Sequence, residues 1–246
     1  MIHYHGGPIT PDTCAIKAWA GRHAFISYAE PRQIRLAAEY CQSFALDNGA
    51  FSFWNAGKDV DWEGYYQWVE TWRCHPGFDF AVIPDVIDGT EQENDALLDA
   101  WPFPAHQGAA VWHVNESIER FVALAKAWPR VCIGSSGEYD VTKKEAFLQR
   151  AHEALSQIIN DHRQPICKVH GLRMLNPEIF SNLPLSSADS TNVARSIGMD
   201  NDWRGQYSPR SKETRATILV ERIEGHNSAP SLSERAYQLD LWSAMQ

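Results

Sequence analysis

The sequence predicts a single α/β domain folded as a small closed (β/α)8 barrel, and three observations carry that prediction. Eight short apolar or β-rich runs recur along the chain, with helical stretches between most of them. Strands that alternate with helices pair in parallel through right-handed crossovers, and 246 residues hold eight such units at the length typical of a closed barrel. The turn after the first strand carries neither G-x-G-x-x-G nor a Walker A sequence, the fingerprints that would favour the alternative, an open doubly wound sheet. Residues 1–195 make the barrel core. Residues 196–246 make a C-terminal extension of the same domain, poorer in apolar runs apart from Thr217–Val220 and the amphipathic Leu232–Met245, which reads as a barrel-closing helix.

Taken in order, the expected strands are Ile2–His5, Ala24–Tyr28, Ser43–Asp47, Phe78–Ile83, Ala109–His113, Val131–Gly134, Ile166–Val169 and Leu185–Asp189. Between them, helices are expected over Pro31–Gln42, Asp61–Cys74, Glu91–Trp101, Glu116–Ala127, Thr142–Asp161 and Pro177–Ser181. Helical spacing shows in Phe121, Leu124, Ala125 and Trp128, and again in Ala151, Leu155, Ile158 and Ile159. Asn115 and Thr142 read as N-caps, and Pro31 and Pro177 sit where a first helical turn accepts proline.

Composition narrows the function. The chain is 44% hydrophobic and 22% charged, which excludes a disordered, collagenous or coiled-coil protein. No window approaches the ~18 uncharged apolar residues of a membrane helix, and Met1-Ile2-His3-Tyr4-His5 lacks the basic and apolar regions of a signal peptide. The expectation is a soluble, cytoplasmic protein with no membrane partner. Five cysteines (Cys14, Cys41, Cys74, Cys132, Cys167) are far apart, without a C-x-x-C pair, so neither a disulfide framework nor a thiolate metal site is expected. The net charge of -9 leaves little room for an extended phosphate-binding face. A small basic excess does gather between Arg195 and Arg222, including Arg204 and Arg210, readable either as a solvated loop or as contacts to a few phosphates.

In a barrel of this kind the active site lies at the C-terminal ends of the strands. Those ends are His5, Tyr28, Asp47, Asp85, His113, Ser135-Ser136, His170-Gly171 and Asp189-Ser190, a set of polar groups that would converge on one mouth. Asp47 is followed by Asn48-Gly49, a turn that suits either a ligand-facing carboxylate or an ordinary loop. One of Asp85 and Asp88 faces the pocket and the other caps the following helix. Gly134, Ser135 and Ser136 would offer backbone N–H groups and hydroxyls to a polar ligand. His170 and Gly171 read equally as ligand contacts or as a satisfied strand end. Phe51, Phe53 and Trp54 make a candidate stacking wall for a flat ring, with core packing the alternative for at least one of them.

The order of these motifs resembles the tRNA-guanine transglycosylase family, and in particular its DNA-acting relatives that insert 7-deazaguanines into phage and bacterial DNA. Leu46-Asp47-Asn48-Gly49-Ala50-Phe51 resembles the family's S-D-S-G-G-F segment, whose aspartate is the general acid/base. Ile83-Pro84-Asp85 is similar to the strand whose aspartate reads the guanine edge, and Val111-Trp112-His113-Val114 stands where the family places a base-recognising glutamine. Ile133-Gly134-Ser135-Ser136-Gly137-Glu138 is similar to the I-G-G-x-x-x-G-E loop, and Ser187-Ala188-Asp189-Ser190 resembles the strand end carrying the nucleophilic aspartate. The matches span roughly residues 44 to 195. The family's C-x-C-x-x-C…H zinc site is absent, which favours the DNA-acting branch over tRNA.

What the resemblance implies is base exchange. Asp189 would attack C1′ and Asp47 would shuttle protons. Asp85, His113, Gly134, Ser135, Ser136, His170, Gly171 and Phe51 would hold the base, and Arg195, Arg204 and Arg210 the phosphates. The implied partners are a nucleic acid, with DNA favoured and tRNA the alternative, and a 7-deazaguanine base such as preQ0 as co-substrate. No cofactor and no metal are implied. A rival comes from His3, His5, His113, His170 and Asp189, an order that resembles the metal-dependent amidohydrolases, although Gly134-Ser135-Ser136 stands where a sixth-strand histidine is expected. A third reading is a barrel that keeps a base pocket without turnover.

Overall fold

The computed structural model describes residues 1–135, 139–198, 203 and 208–233. Eight parallel strands close into a barrel in chain order: β1 (Ile2–Gly6), β2 (His23–Ser27), β3 (Ser43–Asp47), β4 (Phe78–Val82), β5 (Gly108–His113), β6 (Arg130–Gly134), β7 (Lys168–Gly171) and β8 (Ser187–Ser190). The helices are α1 (Asp12–Trp19), α2 (Ile34–Tyr40), α3 (Ala50–Asn55), α4 (Trp62–Trp72), α5 (Glu91–Asp99), α6 (Ile118–Ala127), α7 (Lys144–Ser156), α8 (Pro177–Phe180), α9 (Asn192–Ser196) and α10 (Lys212–Glu224). Pairing of β1 with β8, Tyr4 opposite Asp189, seals the ring.

Two apolar layers follow from the period-2 alternation of strands. Outward residues such as Phe44, Leu46, Ala110, Trp112, Val131 and Ile133 join the helices in the larger core. Inward residues are fewer: Tyr4, Phe25, Ala45, Phe80, Val82, Ala109, Val111 and Cys132 fill the barrel. Between β3 and β4 the register slips, Phe44 pairing with Phe78 and Leu46 with Ala81, so β4 carries one extra residue. That bulge lets Asp79 and Phe80 both serve the interior, Asp79 by bonding Arg130 and Tyr4.

The eight strands fall close to where the apolar runs predicted them, with strands seven and eight each starting two residues late, the eighth at Ser187 rather than Leu185. Strand seven begins at Lys168 rather than Ile166, because Ile166 N–H is taken by Ile158 and Pro165 forms an antiparallel bridge with Ile159. The same hairpin ends α7 at Ser156, short of Asp161. Neither expected N-cap serves. Ser117 caps α6 by accepting from Arg120 N–H, and Thr142 instead donates to Asp140. Four helices were not anticipated: α1, α3, α9 and α10. In α10 the buried residues are Ala216, Val220 and Ile223, so only the last residue of the apolar run Thr217–Val220 is buried, and α10 lies against α1 where the first and last units meet, Thr13 bonding Glu213. Most of the closing helix expected over Leu232–Met245 falls in 234–246, outside the described residues. Leu232 itself is buried, exchanging hydrogen bonds with Arg163. Among the described residues no helix is long and apolar enough to cross a membrane.

Candidate active site

A cavity of about 350 Å³ opens at the C-terminal ends of the strands, lined by Asp47, Asp85, His113, Gly134, Ser135 and Asp189 among others. Asp47 ends β3, and the chain must then turn sharply. Gly49 makes this possible at φ 78: a Cβ there would sit 2.9 Å from the Ala29 nitrogen, so only glycine fits. The turn delivers α3, which presents Phe51 to the cavity. Asn48, in the same turn, joins two strand ends, its amide donating to Ile83 O at 2.9 Å and to Asp85 Oδ1 at 2.7 Å.

The carboxylates have different surroundings. Burial pushes the Asp47 carboxyl up to about 7, helped by the nearby charges of Asp189 and Asp85, while hydrogen bonds from Ser27 and from Gly49 N–H pull the other way. Asp85 lies deeper, its Oδ2 2.9 Å from His113 Nε2. The pair stands at ion-pair distance, and among the described residues Nε2 makes no directed hydrogen bond. Burial lowers the His113 pKa, but Asp85 and Glu116 outweigh it and the net shift is upward. Gly134 makes space for this ring, since a Cβ there would lie 3.0 Å from His113 Nδ1.

Asp189, at the end of β8, is buried, and among the described residues it accepts on one oxygen only. Arg173 N–H donates to Oδ1 at 2.9 Å, and His170 Nε2 lies 3.3 Å from the same atom. Among the described residues no donor reaches Oδ2. Arg173 adopts φ 59 to aim its N–H, and its guanidinium lies 3.9 Å over the Phe51 ring, bridging the loops after β7 and β3 across the mouth. Ser135 Oγ is buried, with no partner among the described residues.

Of the residues singled out in the sequence, Asp47, Asp85, His113, Gly134, Ser135, Asp189, Phe51 and Arg195 share this one cavity. His170 and Gly171 do not line it. His170 is fully buried beneath Asp189, and Gly171 faces outward, where a Cβ would lie 2.8 Å from Met174 Sδ. Arg210 is exposed just before α10 and off the cavity. Ser136 and Arg204 lie outside the described residues. Asp88 does not cap the next helix. Thr90 does, in a capping box with Glu93, while Asp88 accepts from Trp54 Nε1. Phe53 packs on Tyr28, and Tyr28 on Tyr65, away from the cavity.

His3 and His5 are corrected most clearly. Tyr4 points into the barrel, so its neighbours point out: His3 Nε2 contacts His226 O at 3.0 Å and His5 Nε2 lies 3.0 Å from Glu224 of α10. The five-residue set of the hydrolase pattern is therefore not brought together. Sequence reasoning missed Arg173 and Ser27 and treated Asn48 only as a turn residue.

No protein-family model matches the chain, and no curated protein matches it. Among solved structures, the tryptophan synthase A-subunit of the hyperthermophile Pyrococcus furiosus is similar, at a TM-score of 0.50 and 10% identity, over 92% of this chain and 97% of that chain. At that identity the likeness is one of fold, and the closed eight-stranded parallel barrel is what the two chains share.

Proposed function

We propose that the chain is a base-exchanging transglycosylase that replaces guanine in a nucleic acid, DNA before tRNA, with a 7-deazaguanine. The observation that carries this reading is the pair of unlike carboxyl groups in one cavity. Asp47 titrates near 7 and so exists at neutral pH in both the protonated and ionised forms that an acid/base needs. Asp189 is held by one oxygen, with the other open to a ligand.

The chemistry then balances. Asp189 Oδ2 bonds the sugar C1′ as the C1′–N9 bond breaks, and protonated Asp47 gives its proton to the departing guanine. Ionised Asp47 takes the N9 proton of the incoming 7-deazaguanine, whose N9 displaces Asp189 from C1′ and restores both carboxyl groups. Asp85 suits the N1–H and N2–H₂ edge of the base, and Ser135 with His113 supplies donors for O6. Phe51 offers an aromatic face, and a base within a duplex must be flipped out to reach it. Arg195 on the cavity wall suits a flanking phosphate.

The test is nucleoside mass spectrometry of DNA and tRNA from cells that express the protein and synthesise a 7-deazaguanine base, beside cells expressing Asp189→Asn. A deazaguanine nucleoside in the DNA pool of the wild type alone is the expected result. Its appearance in tRNA alone would move the substrate to RNA, and its absence from both would remove the proposal.

A further inference from the structure

Beneath the cavity a chain of polar side chains runs through the inside of the barrel. Asp79 Oδ1 accepts from Arg130 Nη2 at 3.0 Å, Arg130 Nη1 donates to Ser187 Oγ at 3.4 Å, Ser187 Oγ lies 2.8 Å from His170 Nδ1, and His170 Nε2 lies 3.3 Å from Asp189 Oδ1. Four strands contribute, and barrel interiors are ordinarily filled by branched apolar side chains. A charge and an imidazole placed there are tolerated only when every polar atom is partnered.

Donor counting fixes the direction of each hydrogen. A guanidinium carries donors only, so Arg130 donates to Ser187 Oγ. The single Ser187 hydrogen is then available to His170 Nδ1, which makes that nitrogen an acceptor. The one remaining imidazole N–H stands on Nε2 and donates to Asp189 Oδ1. The opposite tautomer would set the bare Nε2 lone pair against a carboxylate oxygen. An imidazolium would make Ser187 Oγ accept from both Nδ1–H and Arg130 and leave the Ser187 hydrogen without an acceptor among the described residues.

We propose that Arg130, Ser187 and His170 form a one-way hydrogen-bond relay that positions Asp189, holding His170 as the neutral Nε2–H imidazole. With Arg173 N–H, the relay occupies Oδ1 and leaves Oδ2 as the atom presented to the cavity. The ring has no freedom to turn. Phe25 stacks on it at 5.3 Å and 26°, and Phe80 and Tyr4 meet its edges at 5.2 and 5.9 Å. The charged groups around it are Asp189 above and Arg130 with Asp79 below. Cys132, its register partner on β6, is kept a neutral thiol by burial. Full burial also lowers the His170 pKa, in keeping with a neutral ring. His170 is thus a positioning residue that touches no base.

The role of the relay in catalysis rests on Asp189 as nucleophile, but the relay itself can be read without activity. In 15N-histidine-labelled wild-type protein, two-bond proton–nitrogen correlations from pH 5.5 to 8.5 should show one ring that stays neutral with a bare Nδ1 and a protonated Nε2, its signals lost in His170→Gln. Ser187→Ala, which removes only a hydroxyl, should scramble that tautomer and lower kcat about tenfold to a hundredfold while KM stays within about twofold. His170→Gln, which keeps an N–H donor, should retain more activity than His170→Leu. An imidazolium or an Nδ1–H ring at neutral pH overturns the relay, as does an unchanged tautomer in Ser187→Ala. With the Nε2–H signature present and no base exchange by the wild type, the relay stands and the transglycosylase reading falls.

Discussion

Asp47→Asn replaces a carboxyl that the barrel holds near 7 with a neutral group of the same shape. An unfolded aspartate ionises at about 3.8, so the folded chain must keep Asp47 protonated, or carry its charge at a cost, over a window of roughly three pH units. The sign follows. Below pH 3.8 both states bind the proton and the group contributes nothing. Between 3.8 and 7 the unfolded state releases its proton and stability falls, and above 7 the loss is complete. At 1.36 kcal/mol per unit, the interval from pH 5 to 7 is worth about 2.7 kcal/mol, and the partial exposure of Asp47 to solvent reduces this to about 2 kcal/mol. Asparagine escapes that loss, so Asp47→Asn should gain on the wild type as pH rises. For a chain of this size, about 2 kcal/mol is about 4–8 °C in Tm. Thermal unfolding at pH 5 and pH 8 should show the Tm difference between variant and wild type growing by that amount. A difference equal at the two pH values would refute a half-buried, near-neutral Asp47 and with it the acid/base assignment.

Phe51→Ala removes the aromatic face at the cavity rim and should raise KM about fivefold to a hundredfold, with a smaller effect on kcat, in steady-state base exchange. Arg195→Glu should weaken DNA binding and flatten its salt dependence by about one unit of log–log slope, measured by titration at several salt concentrations, with base choice unchanged. Single-stranded or mismatched guanine should react faster than paired guanine, because an unpairing cost of a few kcal/mol is already met. With His3 and His5 turned away from Asp189, elemental analysis should find well under one equivalent of zinc or iron and a chelator should leave activity intact. Stoichiometric metal would revive the hydrolase reading.

The strands were legible because their outward faces bury against helices and their inward faces fill the barrel, leaving unbroken apolar runs such as Phe80–Ile83 and Ala109–Trp112. The mouth was legible for the same reason: Asp47, His113 and Asp189 interrupt those runs at their ends. The short helices α3 and α9 have no periodicity to display at five or six residues, and their form depends on the turn at Gly49 and on docking to the rim. The outward aim of His3 and His5 did leave a signal, since Tyr4 between them is the large apolar body that alternation sends inward, but two histidines at a strand end read first as ligands. The relay left almost none. Arg130 stands at the start of its strand and Asp79 near the start of its own, where polar residues usually face solvent, and only closure of the barrel makes them interior. Arg173 was hidden because its use depends on a positive φ that its identity does not suggest.

The proposed base exchange passes through a covalent bond between Asp189 and a nucleic-acid sugar. Purified protein incubated with guanine-containing single-stranded DNA without incoming base, then quenched in denaturant and digested, should yield a peptide carrying Asp189 plus an abasic nucleotide mass, absent from Asp189→Asn and discharged when a 7-deazaguanine base is added before the quench. Base exchange by the wild type with no such adduct, or with undiminished rate in Asp189→Asn, would contradict it.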